Sequence, residues 1–218
     1  MLILLGALAL AGCGGSSAAS KPTATPDAAT ILASVKNVQS SYKDIEFSMS
    51  MAFTASGSTI NGTFTGTQTS SPKRSDIVMN FTAAGQQVAG EVITDVATNT
   101  TYTKLTSPAL PGVPAGTWTK STGSSAFIPI DPSTFSNLSG LTGITLKDSE
   151  TLDGIQVWHL QASESTGGAT GQADIYIRQD NNQLYEVVAH ATGAASGTIT
   201  FKITSVNTGA TINLPPAS

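Results

Sequence analysis

Strict alternation of apolar and polar positions covers most of this chain and predicts a long antiparallel sheet. In the clearest run, the apolar side chains are Ile45, Phe47, Met49, Met51 and Phe53. A period of two puts them on one face of a strand, while the residues between them face water. Further alternating runs cover residues 58–69, 74–83, 86–94, 100–105, 117–122, 144–152, 155–163, 171–178, 183–192 and 197–206. We therefore expect about ten strands in two meanders.

Helical periodicity is found in one segment before the first strand. Apolar residues recur there at helical spacing, at Ile31, Leu32, Val35 and Val38, which indicates one apolar helix face. Thr25 can cap this helix, Pro26 suits its first position, and the pattern ends near Ser41. A second, short helix could begin at Asp131, in the break between the two meanders over residues 127–141.

The N-terminus carries a short apolar run that ends in Leu10-Ala11-Gly12-Cys13. This pattern is typical of a bacterial lipoprotein signal, which is cut before the cysteine and leaves a thiol that accepts a diacylglyceryl group. The run is shorter than the roughly 20 residues that span a bilayer. We therefore predict a signal peptide over residues 1–12 and lipidation of Cys13. The alternative is an ordinary apolar signal in which Cys13 is incidental.

The residues after Cys13 are poor in large apolar side chains. Residues 14–26 contain only Gly, Ser, Ala, Thr and Pro apart from Lys21, too little apolar surface to offset the entropy of ordering them. We predict a lipidated cysteine and flexible tether over 13–26, followed by one domain over 27–218. A secretory signal normally begins with Lys or Arg, and Lys21 is the first basic residue, which leaves open a natural start upstream.

Composition excludes several classes of function. Charged residues make up 11% of the chain, the net charge is −4, and no Lys/Arg cluster occurs, so a nucleic-acid partner is not expected. A single cysteine allows no intramolecular disulfide. The two histidines, His159 and His190, fall on the polar faces of separate strands, and Asp148 and Glu150 look like solvated surface. We therefore predict no catalytic residues, no metal site and no cofactor.

The order of these features resembles the bacterial lipoproteins of the LppX/LprG type and the LolA/LolB carriers over roughly residues 26–214. The local cues are the passage Ser41-Tyr42-Lys43-Asp44-Ile45-Glu46-Phe47, the hairpin Leu152-Asp153-Gly154-Ile155-Gln156-Val157-Trp158, and the endings Ile203-Thr204-Ser205-Val206-Asn207 and Ile212-Asn213-Leu214-Pro215-Pro216. The resemblance implies an α+β fold in which a strongly curved, incompletely closed antiparallel sheet forms a half-barrel. The N-terminal helix and the short helical insertion would cover its concave face.

The same resemblance implies a hydrophobic cavity that takes lipid acyl chains and a protein that is not an enzyme. From alternation alone, the residues that would line this cavity are Phe47, Met49, Met51, Phe53, Phe64, Ile77, Met79 and Phe81, since Met adapts to irregular ligands. An apolar strand face is a filled core far more often than a ligand site, so each of them could instead be a core residue. We expect a monomer, anchored through Cys13 to the extracytoplasmic face of the cell membrane, that binds or transfers lipid. The alternative is a structural or sensory envelope domain that binds a protein or a glycan.

Overall fold

A computed structural model describes residues 25–55, 57–83, 85–107, 114–123, 138, 142–166, 169–193 and 195–216. The predicted signal peptide, Cys13 and most of the tether lie outside the described residues, as does the predicted helical insertion except for Leu138. The elements in chain order are α1 (Ala28–Gln39), β1 (Asp44–Ala55), β2 (Ser58–Ser70), β3 (Lys73–Ala83), β4 (Gln86–Asp95), β5 (Thr100–Ser107), β6 (Thr119–Thr122), β7 (Thr142–Leu152), β8 (Ile155–Thr166), β9 (Ala169–Arg178), β10 (Leu184–Thr192) and β11 (Ala195–Val206).

All eleven strands belong to one antiparallel sheet in the order β6-β5-β4-β3-β2-β1-β11-β10-β9-β8-β7. The first and last strands of the chain, β1 and β11, pair in the middle and so join the two meanders. In the described part of the chain, β6 and β7 are the two edges, so the sheet does not close into a barrel. The predicted α+β fold, a curved and incompletely closed half-barrel with an N-terminal helix, is confirmed.

The two faces of the sheet differ as the alternation predicts. The inner face, which contacts α1, carries Phe47, Phe64, Ile77 and Phe201 among the side chains of one core cluster. Ile31 and Val35 of α1 belong to the same cluster and are buried. Leu138 also joins it, with 8% of its surface exposed. The opposite face is called the outer face below.

The start of α1 differs from the prediction. Thr25 is not the cap; Asp27 takes that position, and its Oδ1 accepts a hydrogen bond from the Thr30 backbone N–H at 2.7 Å. Asp is at least as good an N-cap as Thr, because its carboxylate also interacts favourably with the helix dipole. Pro26 accordingly precedes the cap instead of occupying the first turn.

The hairpin between β7 and β8 forms at the predicted Asp153-Gly154 pair. Both residues have positive φ, 51° and 80°, as a two-residue turn with the twist of the flanking strands requires. Because glycine adopts such angles without strain and Asp tolerates them, this dipeptide fixes the register from Leu152↔Ile155 onward.

The C-terminal segment, residues 207–216, follows β11 and packs on the outer face. There Ile212 and Leu214 contact a second, smaller cluster that includes Ile93, Tyr102 and Trp118. The Arg74 guanidinium donates from Nη1 to the carbonyl oxygen of Ile212 at 2.9 Å. This cluster covers part of the outer face that would otherwise be open to water.

Candidate functional site

The inner face brings the eight nominated side chains to one side of three neighbouring strands. Six of them are buried, with 0–7% of their surface exposed: Phe47, Met49, Met51, Phe64, Ile77 and Met79. The other two, Phe53 and Phe81, are only half-buried. Strand pairing places Met49 opposite Phe64 and Phe64 opposite Met79, so aromatic and flexible side chains alternate across the strands. Their contact with a ligand stays a prediction.

Part of the inner face consists of small residues. Following the pairings across β8, β9 and β10, Ala162 lies opposite Ala173, and Ala173 lies opposite Ala189. The same row continues through Ile199 and Met51 to Gly62. An alanine methyl group extends less far from the backbone than a leucine or phenylalanine side chain, so the inner face is lower at the three alanines. At Gly62 the space beside the backbone is taken by Phe81.

The inner face stays partly open at the end where β1 finishes and β2 begins. Four large apolar side chains remain half-buried there: Phe53, Ile60, Phe81 and Ile199. Pairing places Phe53 opposite both Ile60 and Gly197, so the group is contiguous. Half-exposed apolar side chains beside the small residues of the inner face are suited to contact with an apolar ligand.

A cavity of 550 Å³ lies at the opposite end of the sheet, between the end of α1 and the beginning of β1. We call it the basal cavity; its lining residues are Gln39, Tyr42, Lys43, Asp44, Ile45, Gln68, Thr69, Ser70, Lys73 and Ile203. Its size falls within the usual range of ligand sites. The lining combines two lysines and several hydroxyl or amide groups with two isoleucines. Alternation of the strands did not reveal this site, because half of its residues lie in turns and at strand ends.

Tyr42 is among the residues that line the basal cavity. Its hydroxyl oxygen is buried and has no hydrogen-bond partner within the described residues. Burial raises the pKa of Tyr42 to about 12, since the phenolate would lose its hydration. The phenol therefore stays protonated at neutral pH and remains a hydrogen-bond donor.

Asp44 also lines the basal cavity, but its carboxylate is occupied by the C-terminal segment. Oδ1 accepts hydrogen bonds from the backbone N–H and the hydroxyl of Thr208, both at 2.8 Å, and Oδ2 accepts one from the Gly209 N–H at 3.0 Å. Burial raises the pKa of Asp44, but these hydrogen bonds outweigh it and hold the pKa below its usual range. The charge of Asp44 thus fastens residues 207–209 beside β1.

A separate polar group lies on the outer face around Asp174 of β9. His159 Nε2 is 2.9 Å from Asp174 Oδ1, Gln161 Nε2 donates to the same oxygen at 3.0 Å, and His190 Nε2 lies 3.6 Å from Oδ2. The other ring nitrogen of His159 is 3.2 Å from Glu150 Oε1. Both histidines lie on the outer face, as predicted, but their convergence on one carboxylate was not foreseen.

This outer-face group does not form a catalytic triad. His190 Nδ1 lies 3.2 Å from the Thr198 hydroxyl, which places a hydroxyl, an imidazole and Asp174 in sequence. The 3.6 Å between His190 and Asp174 is longer than a hydrogen bond, so the carboxylate does not orient that ring. Within the described ranges no group of three or more His, Cys, Asp or Glu side chains could hold a metal ion. No described helix is long and apolar enough to cross a membrane.

Solved structures with the same arrangement of strands are known. The lipoprotein LppX of Mycobacterium tuberculosis matches with a TM-score of 0.56 and 15% identity, over 84% of this chain and 97% of LppX. The protein has the LppX fold. LprF of Mycobacterium bovis matches with a TM-score of 0.55 and 14% identity, over 85% of this chain and 95% of LprF. No protein-family model matches the chain, and no curated protein matches its sequence.

The resemblance to LppX-type lipoproteins drawn from the sequence is therefore confirmed at the level of fold. The two neighbours are covered almost end to end, so the similarity extends over nearly the whole length of each. Because the identities are 14 and 15%, the position of each ligand-contacting side chain has to be argued from this chain itself.

Proposed function

We propose that this protein is a membrane-anchored extracytoplasmic lipoprotein that binds or transfers lipid acyl chains on its inner face. The observation that carries the proposal is the paired row of three alanines, Ala162, Ala173 and Ala189, within an apolar face of otherwise larger side chains. Beside this row, Phe53 and Phe81 remain half-buried. The sequence Leu10-Ala11-Gly12-Cys13 supports the anchor.

The energetics of acyl transfer agree with an apolar surface of this kind. An acyl chain of about 16 carbons gains roughly 12 kcal/mol on leaving water, but gains about as much in a bilayer. A carrier therefore needs an apolar surface that binds the acyl chain about as strongly as the membrane does, and not much more strongly. Methionines such as Met49, Met51 and Met79 suit that requirement because they repack around different chains. No catalytic group is needed for this function.

Lipid bound to the full chain, purified from its membrane, tests the proposal directly. Mass spectrometry of the organic extract should detect non-covalently bound lipid, and the protein should take up a fluorescent fatty acid. Absence of both would overturn the proposal and favour the alternative, an envelope domain with a filled core that binds a protein or a glycan.

A pair of variants locates the bound chain. Ala189→Phe fills the low part of the inner face and should weaken fatty-acid uptake about ten-fold, the equivalent of about 1.4 kcal/mol. Thr200→Phe puts the same ring on the outer face of the adjacent strand and should leave uptake unchanged. Thermal unfolding of both variants separates a blocked site from a misfolded protein. Equal uptake by the two variants would place the ligand elsewhere.

The anchor has its own test. Cys13→Ser removes the thiol that would be acylated, so the protein should move from the membrane fraction to the soluble fraction and should no longer incorporate a labelled fatty acid covalently. Ser16→Cys in the same background is the matched control, because it restores a thiol three residues away from the predicted cleavage site. Incorporation of label into Cys13→Ser, which has no thiol, would overturn the prediction, and incorporation into the Ser16→Cys protein alone would show that the acylation is not specific to position 13.

A further inference from the structure

We propose that the basal cavity binds the anionic polar end, phosphate or carboxylate, of an amphiphile whose acyl chain lies on the inner face. This inference rests on the proposed function, and it adds a charge and an orientation to the ligand. The cavity has a polar side, formed by Lys43, Lys73 and Gln68, and an apolar side, formed by Ile45 and Ile203.

The apolar side of the cavity is continuous with the inner-face core. Ile203 is 2% exposed and belongs to the main cluster, and pairing places it opposite Phe47. Ile45 precedes Phe47 by two residues on the same face of β1. An acyl chain that lay against this face from Phe47 toward Met51, in place of side chains that now cover it, would therefore have its polar end at the basal cavity.

The two lysines are brought together by the backbone at this end of the sheet. The Lys43 carbonyl accepts hydrogen bonds from both the Ser70 N–H at 2.8 Å and the Ser70 hydroxyl at 3.0 Å. Ser70 in turn pairs with Lys73 across the turn between β2 and β3. The Lys43 N–H is held by Asn207 Oδ1 at 2.7 Å. Lys43 and Lys73, which are 30 positions apart in sequence, thus line one cavity.

The charge of the cavity favours an anion. Of the groups that line it, Lys43 and Lys73 are positive and Asp44 is negative, and Asp44 directs its oxygens to Thr208 and Gly209. Neither lysine forms an ion pair within the described part of the chain. The cavity thus has an excess of one positive charge in a chain with a net charge of −4, and ammonium groups form strong charge-assisted hydrogen bonds with phosphate and carboxylate oxygens.

Tyr42 supplies a donor of the required kind. A buried hydroxyl without a partner is unfavourable, because it has lost its hydrogen bonds to water. Its raised pKa, about 12, keeps the proton in place, so the hydroxyl can donate to a ligand oxygen. Because this oxygen is closed to solvent in the ligand-free protein, a ligand oxygen reaches it only once the side chains around Tyr42 shift, and it then satisfies the hydroxyl.

Binding of matched amphiphiles to the full chain carrying Cys13→Ser tests the inference. We would titrate dodecyl phosphate, dodecanoate and uncharged monododecanoylglycerol below their critical micelle concentrations, with inorganic phosphate as a ligand that lacks an acyl chain. The two anionic amphiphiles should bind about ten-fold more tightly than the uncharged one, and the preference should shrink as salt is raised. Inorganic phosphate should bind far more weakly than dodecyl phosphate.

Variants test whether the preference for anionic amphiphiles arises in the basal cavity. Lys43→Gln combined with Lys73→Gln should abolish the preference and leave binding of the uncharged amphiphile unchanged. Lys147→Gln, an exposed lysine on β7 that does not line the cavity, is the control and should change neither. Tyr42→Phe should weaken anionic ligands by about three-fold while the ligand-free protein becomes no less stable, since the removed hydroxyl had no partner.

The outcomes separate the two proposals. Equal affinity for charged and uncharged amphiphiles in the wild-type protein would overturn the anion site and leave acyl binding intact. Binding of inorganic phosphate as tight as that of dodecyl phosphate, lost in the double lysine variant, would support an anion site and overturn the acyl-binding function. Binding of neither class would overturn both.

Discussion

His159 Nε2 and Asp174 Oδ1 lie 2.9 Å apart on the outer face, joined across β8 and β9. The His159 ring also stacks on Tyr176, with 4.8 Å between centroids, and its second nitrogen faces Glu150 at 3.2 Å. Pairing places His159 opposite Tyr176, so Asp174 is the diagonal neighbour one step further along β9. This group links three strands of the second meander through polar side chains.

Asp174 should contribute stability that depends on pH. Burial raises its pKa, but hydrogen bonds from His159, Gln161 and Gln172 and the charge of His159 outweigh it, so the pKa lies below its usual range. A carboxyl with a lowered folded-state pKa stabilises the protein above its unfolded pKa of about 3.9, and this contribution is lost as pH falls through the folded value. Asp174→Asn should therefore cost about 1–3 kcal/mol at pH 7 and little at pH 3.

Urea unfolding of the wild-type protein and the variant between pH 3 and pH 7 measures this difference. Asp148→Asn is the control, because Asp148 is an exposed carboxylate on the edge strand β7 of the same meander; its effect should be within about 0.5 kcal/mol at every pH. A constant difference between wild-type protein and Asp174→Asn across the whole range would show that the charge of Asp174 is not what stabilises the sheet.

Asp76 should have the opposite pH dependence. Its pKa is raised to about 6, first by burial and then by the charge of Glu91 and a hydrogen bond with it, and its Oδ1 has no hydrogen-bond partner within the described residues. A raised folded-state pKa means that stability is highest below the unfolded pKa of about 3.9 and falls as pH rises toward 6. Asp76→Asn should remove this loss and raise stability by about 1–2 kcal/mol at pH 7.5, with no gain at pH 4.

The same urea unfolding assay, run at pH 4 and pH 7.5, measures the effect of Asp76→Asn on stability. Glu91→Gln is an informative second variant, because it leaves Asp76 in place and removes the neighbouring negative charge. It should reproduce part of the gain at pH 7.5. If Asp76→Asn destabilised the protein equally at both values, Asp76 would be a hydrogen-bonding residue whose ionisation is not penalised.

Asp44 should control the C-terminal segment. Three hydrogen bonds from Thr208 and Gly209 converge on its carboxylate, and the segment continues to Ile212, which is 7% exposed on the outer face. Asp44→Ala removes every acceptor of those hydrogen bonds at once. We expect a loss of about 2–3 kcal/mol and faster amide hydrogen exchange over residues 207–212.

Hydrogen exchange followed by mass spectrometry resolves that segment from the sheet. Thr211→Ala, at an exposed position of the same segment, should leave exchange unchanged. Unaltered protection of residues 207–212 in Asp44→Ala would mean that the apolar contacts of Ile212 and Leu214 hold the segment without Asp44.

Most of the fold could be predicted because its sheet obeys one local rule. The alternation from Ile45 to Phe53 assigns each side chain to a face without any knowledge of the partner strand, and a two-residue turn such as Asp153-Gly154 then sets the pairing. The cap of α1 was predicted wrongly, because Thr25 and Asp27 are both good caps and the choice depends on which lies one residue before the first helical turn.

The site was less predictable, because its geometry depends on residues that are distant in sequence. Lys43 and Lys73 come to the same cavity because Ser70 donates a hydrogen bond to Lys43 and lies beside Lys73. Asp44 accepts a hydrogen bond from Thr208, which is 164 positions away in sequence. The contact between His159 and Asp174 follows from the pairing of their strands. Once the β8–β9 register is known, Asp174 follows as the diagonal neighbour of His159, but alternation assigns side chains to faces and does not state which residues pair.

Gly66 should be intolerant of any side chain, because Phe47 and β3 occupy the space beside it. A Cβ on Gly66 would lie 2.8 Å from Phe47 Cζ and would overlap the carbonyl oxygen of Asp76. Neither the backbone of β3 nor a phenyl ring 2% exposed in the core can move away cheaply. Gly66→Ala should therefore lower the free energy of unfolding by about 2 kcal/mol or more, measured by urea unfolding. Thr63→Ala, which shortens an exposed side chain on the outer face of the same strand, should cost less than about 1 kcal/mol. A loss as small as that of Thr63→Ala would mean that Phe47 has room to shift, and the inner face would then be looser than its burial implies.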